Sequence, residues 1–236
     1  MKRTYRKKVR AEKAEQTRRR ILEVARRHLP AAEELRMEEI AGQARVSVQT
    51  VYSHFGSKGG LFLALALEVM KETGAYEGLE RVWRCKDGEA ALRTFVQCDF
   101  DFCEHAWDFI AFALRVRRTD PELAARFKAG DKSRLGHLLV VCRRLQEEGR
   151  LAAGLSVGRA ARLAFSLTTP YVYEALVIDH GMPVRVARDL TTDTVVRALL
   201  NPDTKPIRVD RIDWTRLGLR ALSSSESGRP LRPAVP

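Results

Sequence analysis

Residues 46–58, VSVQTVYSHFGSK, place many hydrogen-bonding side chains on a short stretch that has no charged residue before residue 58. Val51 and Phe55 lie four positions apart, so both face the same side of a helix. The opposite side then presents Gln49, Thr50, Ser53 and His54. A glutamine side chain can form two hydrogen bonds with the N6 and N7 edge of adenine, and hydroxyl, imidazole and ammonium groups can bind phosphate oxygens. This segment therefore has the chemistry of a DNA-reading surface, whereas an ordinary solvated helix face usually carries Glu, Lys and Arg.

Four helices are predicted around this segment. Apolar residues recur at three- and four-residue steps over residues 12–29, and a short helix follows over residues 37–44. Ser47 is the predicted N-cap of the third helix, which ends at Gly56, and Ser57 caps the fourth. The predicted inward positions of the third helix are Val48, Val51, Tyr52 and Phe55. Two short helices separated by a turn of about three residues, and supported by a longer first helix, form a helix-turn-helix.

The segments RRRILEVARRHLP and MEEIAGQARVSVQTVYSHFGSKGGLF, in this order and spacing, resemble the N-terminal domain of TetR-family transcriptional regulators. The resemblance covers roughly residues 17–66. In that family the third helix lies in the major groove, so the resemblance implies a role for each matching position. It implies phosphate contacts by Ser47, Thr50, Tyr52, His54 and Lys58, of which Tyr52 can also contact a base. It implies operator-dependent contacts by Val48, Gln49 and Ser53. Arg36 stands where the family often has a hydroxyl group that contacts phosphate.

One position in the predicted turn departs from the family pattern. The family usually has a glycine where this chain has Arg45. Either Arg45 adopts a left-handed conformation, which costs energy for a residue with a Cβ atom, or the turn has a slightly different geometry.

The rest of the chain is also predicted to be helical. Apolar spacing predicts helices over residues 89–104, 107–117, 121–149, 157–180 and 183–200, with Asp120 as an N-cap and a bend at Pro170. Residues 74–88 are predicted to form a connection, and residues 214–222 a short helix. The predicted fold is all-α, with a basic N-terminal arm (1–13), a helix-turn-helix domain (14–60), a larger helical ligand-binding and dimerisation domain (61–222) and a disordered tail (223–236).

The resemblance has implications for partners. It implies that the last two long helices pair with those of a second copy of the chain, which would place two recognition helices on a palindromic operator. It also implies a small-molecule effector in the larger domain, and aromatic residues outnumber charged residues at the candidate pocket positions. These positions are Phe95, Phe102, Trp107, Phe112, Leu138 and Tyr171. The leading interpretation is a homodimeric regulator, most often a repressor in this family, that an apolar or aromatic effector releases from DNA.

Positive charge is concentrated at the N-terminus. Residues 1–20 contain ten Lys or Arg and two Glu, so eight of the twelve net positive charges lie there. A basic arm binds DNA phosphates by releasing counterions, and a flexible arm can enter a minor groove. The charge alone would also fit a nonspecific architectural DNA-binding protein, or a tail that only increases solubility.

The composition argues against several other classes of protein. Cys85, Cys98, Cys103 and Cys142 form no CxxC pair, which argues against a zinc site and a secreted disulfide framework, and no metal or cofactor is predicted. A cysteine-dependent hydrolase with His105 or His137 as its base is the enzymatic alternative, but no pattern places a nucleophile beside a base, so we expect no enzyme activity. No apolar run approaches the ~20 residues of a membrane span, and residues 1–20 lack the apolar segment that is typical of a signal peptide. We therefore expect a cytoplasmic protein without a membrane partner.

Overall fold

The computed structural model describes residues 2–200, with the side chains of residues 5 and 8–200. These residues form an all-α fold without a β-strand, as predicted. The helices are α1 Lys2–His28, α2 Met37–Gln43, α3 Val48–Phe55, α4 Lys58–Glu72, α5 Ala75–Trp83, α6 Gly88–His105, α7 Trp107–Val116, α8 Pro121–Glu147, α9 Val157–Leu167, α10 Pro170–Tyr173 and α11 Val184–Leu199. A 3₁₀ turn, Leu29–Ala31, follows α1, and a π-helical turn, Glu174–Asp179, follows α10. The predicted helix over residues 214–222 and the predicted disordered tail lie outside the described residues.

Two hydrophobic cores organise these helices. The first core contains buried residues of α1–α4, such as Ile40, Val51 and Leu65. Phe112 of α7 and Leu123 of α8 also belong to this first core. The second core is formed mainly by α6, α8, α9 and α11. Because residues of α7 and α8 complete the first core, hydrophobic burial holds the N-terminal helices against the larger domain.

The predicted N-caps are confirmed. Ser47 Oγ accepts a hydrogen bond from the amide of Thr50, and Ser57 Oγ accepts one from the amide of Gly60, each at 3.1 Å. Asp120 accepts hydrogen bonds from the first amides of α8 at 3.0 and 3.1 Å. These side chains bind amide groups that have no partner within their own helix, which fixes where α3, α4 and α8 begin.

The first helix is longer than predicted. It begins at Lys2, whereas apolar periodicity indicated a start at residue 12. Residues 2–20 contain neither glycine nor proline and are rich in Lys, Arg, Ala and Glu, which favour a helix even without an apolar face. The basic segment predicted as a flexible arm is therefore the first part of α1.

The predicted connection between the fourth helix and the next contains a helix of its own, α5. Gly74 separates α4 from α5 in a left-handed conformation, with φ of 67°. Val82 is fully buried in the second core, and a Cβ atom at Gly78 would lie 3.1 Å from the Sγ atom of Cys98. Gly74 is therefore a helix boundary, and Gly78 allows close contact between α5 and α6.

The predicted helix over residues 157–180 is interrupted rather than bent. α9 ends before Thr168, and Pro170 begins α10. A proline lacks the amide hydrogen and its ring clashes with the preceding turn, so the helix stops before it. Arg134 of α8 donates a hydrogen bond to the carbonyl group of Thr168 (2.7 Å) at this break. The interruption is therefore stabilised by a side chain from another helix.

Leu65→Ala should lower the free energy of unfolding by about 2–5 kcal/mol, because it leaves a cavity in the tightly packed first core. Urea denaturation measures this change. Leu63→Ala is the matched control, since Leu63 lies on the same helix but is 42 % exposed, and it should change stability by no more than about 0.5 kcal/mol. Equal losses in the two variants would contradict the assignment of the buried face of α4.

Candidate nucleic-acid interface

One side of α3 is buried and the other faces solvent. Val51 is fully buried in the first core. Val48 and Phe55 are half-buried and pack against this core. On the outer side, Gln49 and Ser53 are exposed, and Thr50 and His54 are half-buried. The structure therefore brings the predicted amide, hydroxyl and imidazole groups together on one short helix.

Tyr52 lies on the outer face of α3, so its predicted inward position was wrong. Its side chain is 40 % exposed. Consecutive residues of an α-helix are rotated by about 100°, so the residue after a central buried position reaches the edge of the buried face. The phenol is consequently accessible to a nucleic acid, as the phosphate and base contacts expected of Tyr52 require.

Local hydrogen bonds orient the hydroxyl groups of this interface. Ser47 Oγ and Thr50 Oγ1 are 2.8 Å apart, and Ser53 Oγ donates to the carbonyl of Thr50 at 2.9 Å. A hydroxyl oxygen in such a bond keeps further hydrogen-bonding capacity. These side chains are therefore held in defined positions but can still contact a ligand.

The turn before α3 contains a left-handed residue. Arg45 has φ of 52°, and it is the one non-glycine residue with positive φ among residues 2–200. Of the two alternatives for this position, the structure thus shows the left-handed one, which costs about 1–2 kcal/mol for a residue with a Cβ atom. The amide of Val46 donates to the carbonyl of Ala41 (3.0 Å), which closes the turn. An exposed arginine consequently occupies the approach to α3.

Arg36 has acidic partners at the start of α2. Its guanidinium contacts the carboxylates of Glu34 and Glu39, with Nη1 3.0 Å from Glu39 Oε1. The hydrogen bond with Glu34 raises the pKa of Arg36, and the hydrogen bond with Arg36 lowers the pKa of Glu39. Arg36 would therefore have to leave these two carboxylates before it could bind a phosphate.

Lys58, at the start of α4, is also paired with an acidic residue. Its Nζ atom lies 2.5 Å from Asp120 Oδ2, and this hydrogen bond raises the pKa of Lys58. Sequence reasoning recognised Asp120 as a helix cap but missed this ion pair. The two residues are 62 positions apart, and no spacing signal connects them.

Arg18 of α1 is a further residue beside α3 that sequence reasoning did not place there. Its guanidinium carbon lies 5.2 Å from the centroid of the Phe55 ring. A guanidinium over an aromatic face is attracted by the ring quadrupole. This contact fixes a positive charge next to the end of α3.

The predicted effector-pocket residues lie in different environments. Phe95 and Leu138 are buried in the second core, and Phe102 and Trp107 are half-buried against it. Phe112 belongs instead to the first core, where its ring centroid is 6.5 Å from that of Phe62. The structure therefore does not bring Phe112 together with the other predicted positions.

Tyr173, rather than the predicted Tyr171, joins the aromatic residues of the larger domain. Its ring centroid lies 5.2 Å from that of Trp107 and 5.7 Å from that of Phe100. Burial raises the pKa of Tyr173 to about 12, so its phenol is neutral. Tyr171 is 37 % exposed. The interruption before Pro170 changes the rotational phase of the helix, which a continuous periodicity could not reveal.

Two cavities lie near these residues. One of about 200 Å³ lies between α1, α4 and the junction of α6 with α7, and is lined by Arg26, Leu29, Val69, Glu104, His105, Ala106, Trp107, Asp108 and Phe109. Another of about 370 Å³ has a polar lining of Arg81, Cys85, Thr94, Gln97, Cys98, Asp101 and Arg188. Trp107 lines the smaller cavity. The other predicted pocket residues line neither of these two cavities.

The cysteines are buried or half-buried thiols. Burial raises the pKa of Cys103 and of Cys142 to about 12, and it also raises the pKa of Cys98. A thiol with a raised pKa is a poor nucleophile at neutral pH.

Within residues 2–200 no group of three His, Cys, Asp or Glu side chains is arranged to hold a metal ion. No helix in this part of the chain has the length and apolar character needed to cross a membrane.

Comparison with known proteins identifies the family of the N-terminal domain. Residues 21–65 match the family model described as bacterial regulatory proteins, tetR family. Similar solved structures include a transcriptional regulator from Saccharomonospora viridis in complex with choline, at 18 % identity and a TM-score of 0.59, covering 79 % of this chain and 98 % of that chain. FadR from Bacillus subtilis in complex with stearoyl-CoA has 17 % identity and a TM-score of 0.62, covering 76 % and 97 % of the two chains.

The TetR-family regulator PfmR from Thermus thermophilus is also similar, at 24 % identity and a TM-score of 0.57, covering 76 % of this chain and 97 % of that chain. At these identities the likeness establishes a shared fold. Residues 21–65 thus form a TetR-family helix-turn-helix domain, and the chain has the all-α fold of TetR-family transcriptional regulators.

Proposed function

We propose that this protein is a sequence-specific DNA-binding regulator that acts as a homodimer and responds to a small molecule. The observation that carries this proposal is the polarity of α3. Val51 fixes its buried side, and Gln49 and Ser53 are exposed on a face without a charged residue. Amide and hydroxyl groups suit hydrogen bonding to base edges, whereas a charged face would favour phosphate contacts at any sequence.

Each polar residue of the interface has a role in this proposal. Gln49 and Ser53, together with Val48, read base edges in the major groove. Ser47, Thr50, Tyr52, His54 and Lys58 bind backbone phosphates, and Arg36 adds a phosphate contact after leaving its carboxylate partners. The positions of these side chains on α3 and at the starts of α2 and α4 support this division of roles.

Exposed aliphatic side chains on the last helices support pairing with a second copy of the chain. Leu163 of α9, Ile178 of the π-helical turn and Val186 of α11 are 36 %, 48 % and 37 % exposed. A symmetric interface over these residues would remove apolar surface from water. The resulting dimer would carry two α3 helices related by a two-fold axis, so its operator would be an inverted repeat.

An apolar or aromatic molecule is the proposed effector. The cluster of Phe100, Trp107 and Tyr173 supports this choice. Regulators of the same fold hold choline in one structure and stearoyl-CoA in another. Effector binding would favour a dimer spacing that no longer fits the operator, so the unliganded protein would act as a repressor.

The alternative functions have less support. The basic residues of α1 favour a sequence-independent contribution to DNA affinity, which adds to base reading rather than replacing it. The raised pKa values of Cys103 and Cys142 oppose a cysteine-dependent hydrolase.

Selection of bound fragments from random duplex DNA, at near-physiological salt, tests the proposed function. We expect recovery of an inverted repeat whose half-sites are separated by about one helical turn, or a multiple of it. Excess competitor DNA of random sequence should not remove this binding. Recovery of fragments without any shared motif would contradict sequence-specific recognition.

Gln49→Ala should weaken binding to the selected site by about 1–3 kcal/mol and relax base preference at one position of each half-site, because it removes a bidentate base contact. Tyr52→Ala and Lys58→Ala should instead weaken binding to all sequences alike, because phosphates carry no sequence information. Titration against a panel of single-base variants of the operator measures both effects. Gln146→Ala, in the last turn of α8, is the matched control. An unchanged base preference in Gln49→Ala would contradict the assigned orientation of α3.

Deletion of residues 1–13 should lower DNA affinity and flatten its dependence on salt concentration, because this segment contains seven Lys or Arg residues. Each lost phosphate contact should reduce the slope of log K against log salt concentration by about 0.9. Binding isotherms at several salt concentrations measure the slope, and deletion of residues 223–236 is a control for shortening the chain. The same slope with and without residues 1–13 would mean that they do not contact DNA.

A further inference from the structure

Two carboxylates of the larger domain occupy the N-terminus of α4. Glu122 Oε1 accepts hydrogen bonds from the hydroxyl of Ser57 at 2.5 Å and from the amide of Gly59 at 2.7 Å. Asp120 Oδ2 accepts one from the ammonium of Lys58 at 2.5 Å. All three donors come from the first turn of α4 or its cap, and both acceptors come from the start of α8.

These donors form the kind of group that binds a phosphate. A backbone amide, a hydroxyl and an ammonium converge at the positive end of a helix dipole, which favours any anion. Charge-assisted hydrogen bonds of this kind are shorter and stronger than neutral ones. The hydrogen bond from Ser57 lowers the pKa of Glu122, so this side chain is an anion at neutral pH. An internal anion thus occupies donors that could otherwise bind a phosphate.

Gly59 allows the carboxylate to come this close. A Cβ atom at this position would lie 2.7 Å from Glu122 Oε1 and 3.0 Å from Glu122 Cγ. Any larger residue would therefore push the Glu122 side chain away from the amide group. The close approach depends on the absence of a side chain at position 59.

The larger domain fixes the position of both carboxylates. Asp120 also caps α8, and Leu123, one residue beyond Glu122, is buried in the first core. α7, which precedes them, begins at Trp107 beside one of the cavities and contributes Val116 to the first core. A displacement of α7 would therefore move the carboxylates relative to α4.

We propose that Asp120 and Glu122 act as an internal substitute for a DNA phosphate at the N-terminus of α4. The inference rests on the proposed function, in which Lys58 binds the DNA backbone. DNA and the start of α8 then compete for the same donors, so DNA binding requires the two carboxylates to be released. A change in the larger domain that holds α8 against α4 lowers DNA affinity without contacting α3.

Affinity measurements on variants of Glu122 test this competition. Glu122→Gln removes the charge, and Glu122→Asp keeps the charge but shortens the side chain by one methylene group, so both weaken the contact. Each should increase affinity for the selected operator duplex by about three- to tenfold, the range for loss of one partly exposed charged contact. Asp120→Asn should act in the same direction, and asparagine remains a good N-cap for α8.

Glu147→Gln and Glu147→Asp are the matched controls, since Glu147 is an exposed residue of the same helix. Glu147→Gln reports the general effect of removing one negative charge. Thermal unfolding of every variant, without DNA, checks that the fold is retained. Because Glu122→Asp changes no charge, a gain of affinity in this variant cannot come from long-range electrostatics.

The outcomes separate the two levels of the proposal. A wild-type protein that selects no DNA motif would contradict the proposed function and this inference with it. A wild-type protein that selects a motif, while variants at position 122 bind no more tightly than those at position 147, would overturn the internal-phosphate inference alone. Tighter binding by Glu122→Asp and Glu122→Gln than by both controls supports it.

Discussion

The packing of α4 against α7 and α8 is the interaction on which the rest of the structure depends. Phe62 of α4 stacks on Phe109 of α7 with ring centroids 5.1 Å apart. Leu65 belongs to the first core, and Val69, one turn further along the same helix, belongs to the second. A single helix therefore contributes to both cores. Because tightly packed interiors transmit displacements rather than absorb them, the N-terminal helices and the larger domain are mechanically linked.

The features that the sequence predicted well are those that local chemistry determines. Ser47, Ser57 and Asp120 each satisfy amides that follow within three residues, so the capping pattern is visible in the sequence alone. The outward polarity of α3 follows from the position of Val51 relative to its neighbours. Local periodicity placed Tyr52 less well, because a residue at the edge of a helical face can point either way.

Two of the features that were missed depend on a residue distant in sequence or on a change of helical phase, and two others are local. The carboxylate partner of Lys58 comes from α8, and Arg36 is surrounded by acids that belong to its own segment but face it only in the folded chain. Tyr173 is buried and Tyr171 is exposed, because the interruption before Pro170 rotates the following side chains about the helix axis. Residues 1–13 were assigned to a basic arm because of their positive charge, although helix propensity favours the helix that begins at Lys2.

The helical conformation of the basic segment limits how it can approach DNA. A rod about 10–12 Å wide does not fit a minor groove about 6 Å wide, so in the proposed complex the segment lies outside that groove. Ile21 is the first fully buried residue among the side chains that the structure describes. As a helix, residues 2–20 extend about 28 Å, the length of about eight base pairs. In that complex the lysines and arginines of the segment would contact phosphates beside the half-site. The number of base pairs flanking the operator, rather than their sequence, would then determine how much of this charge contributes to affinity.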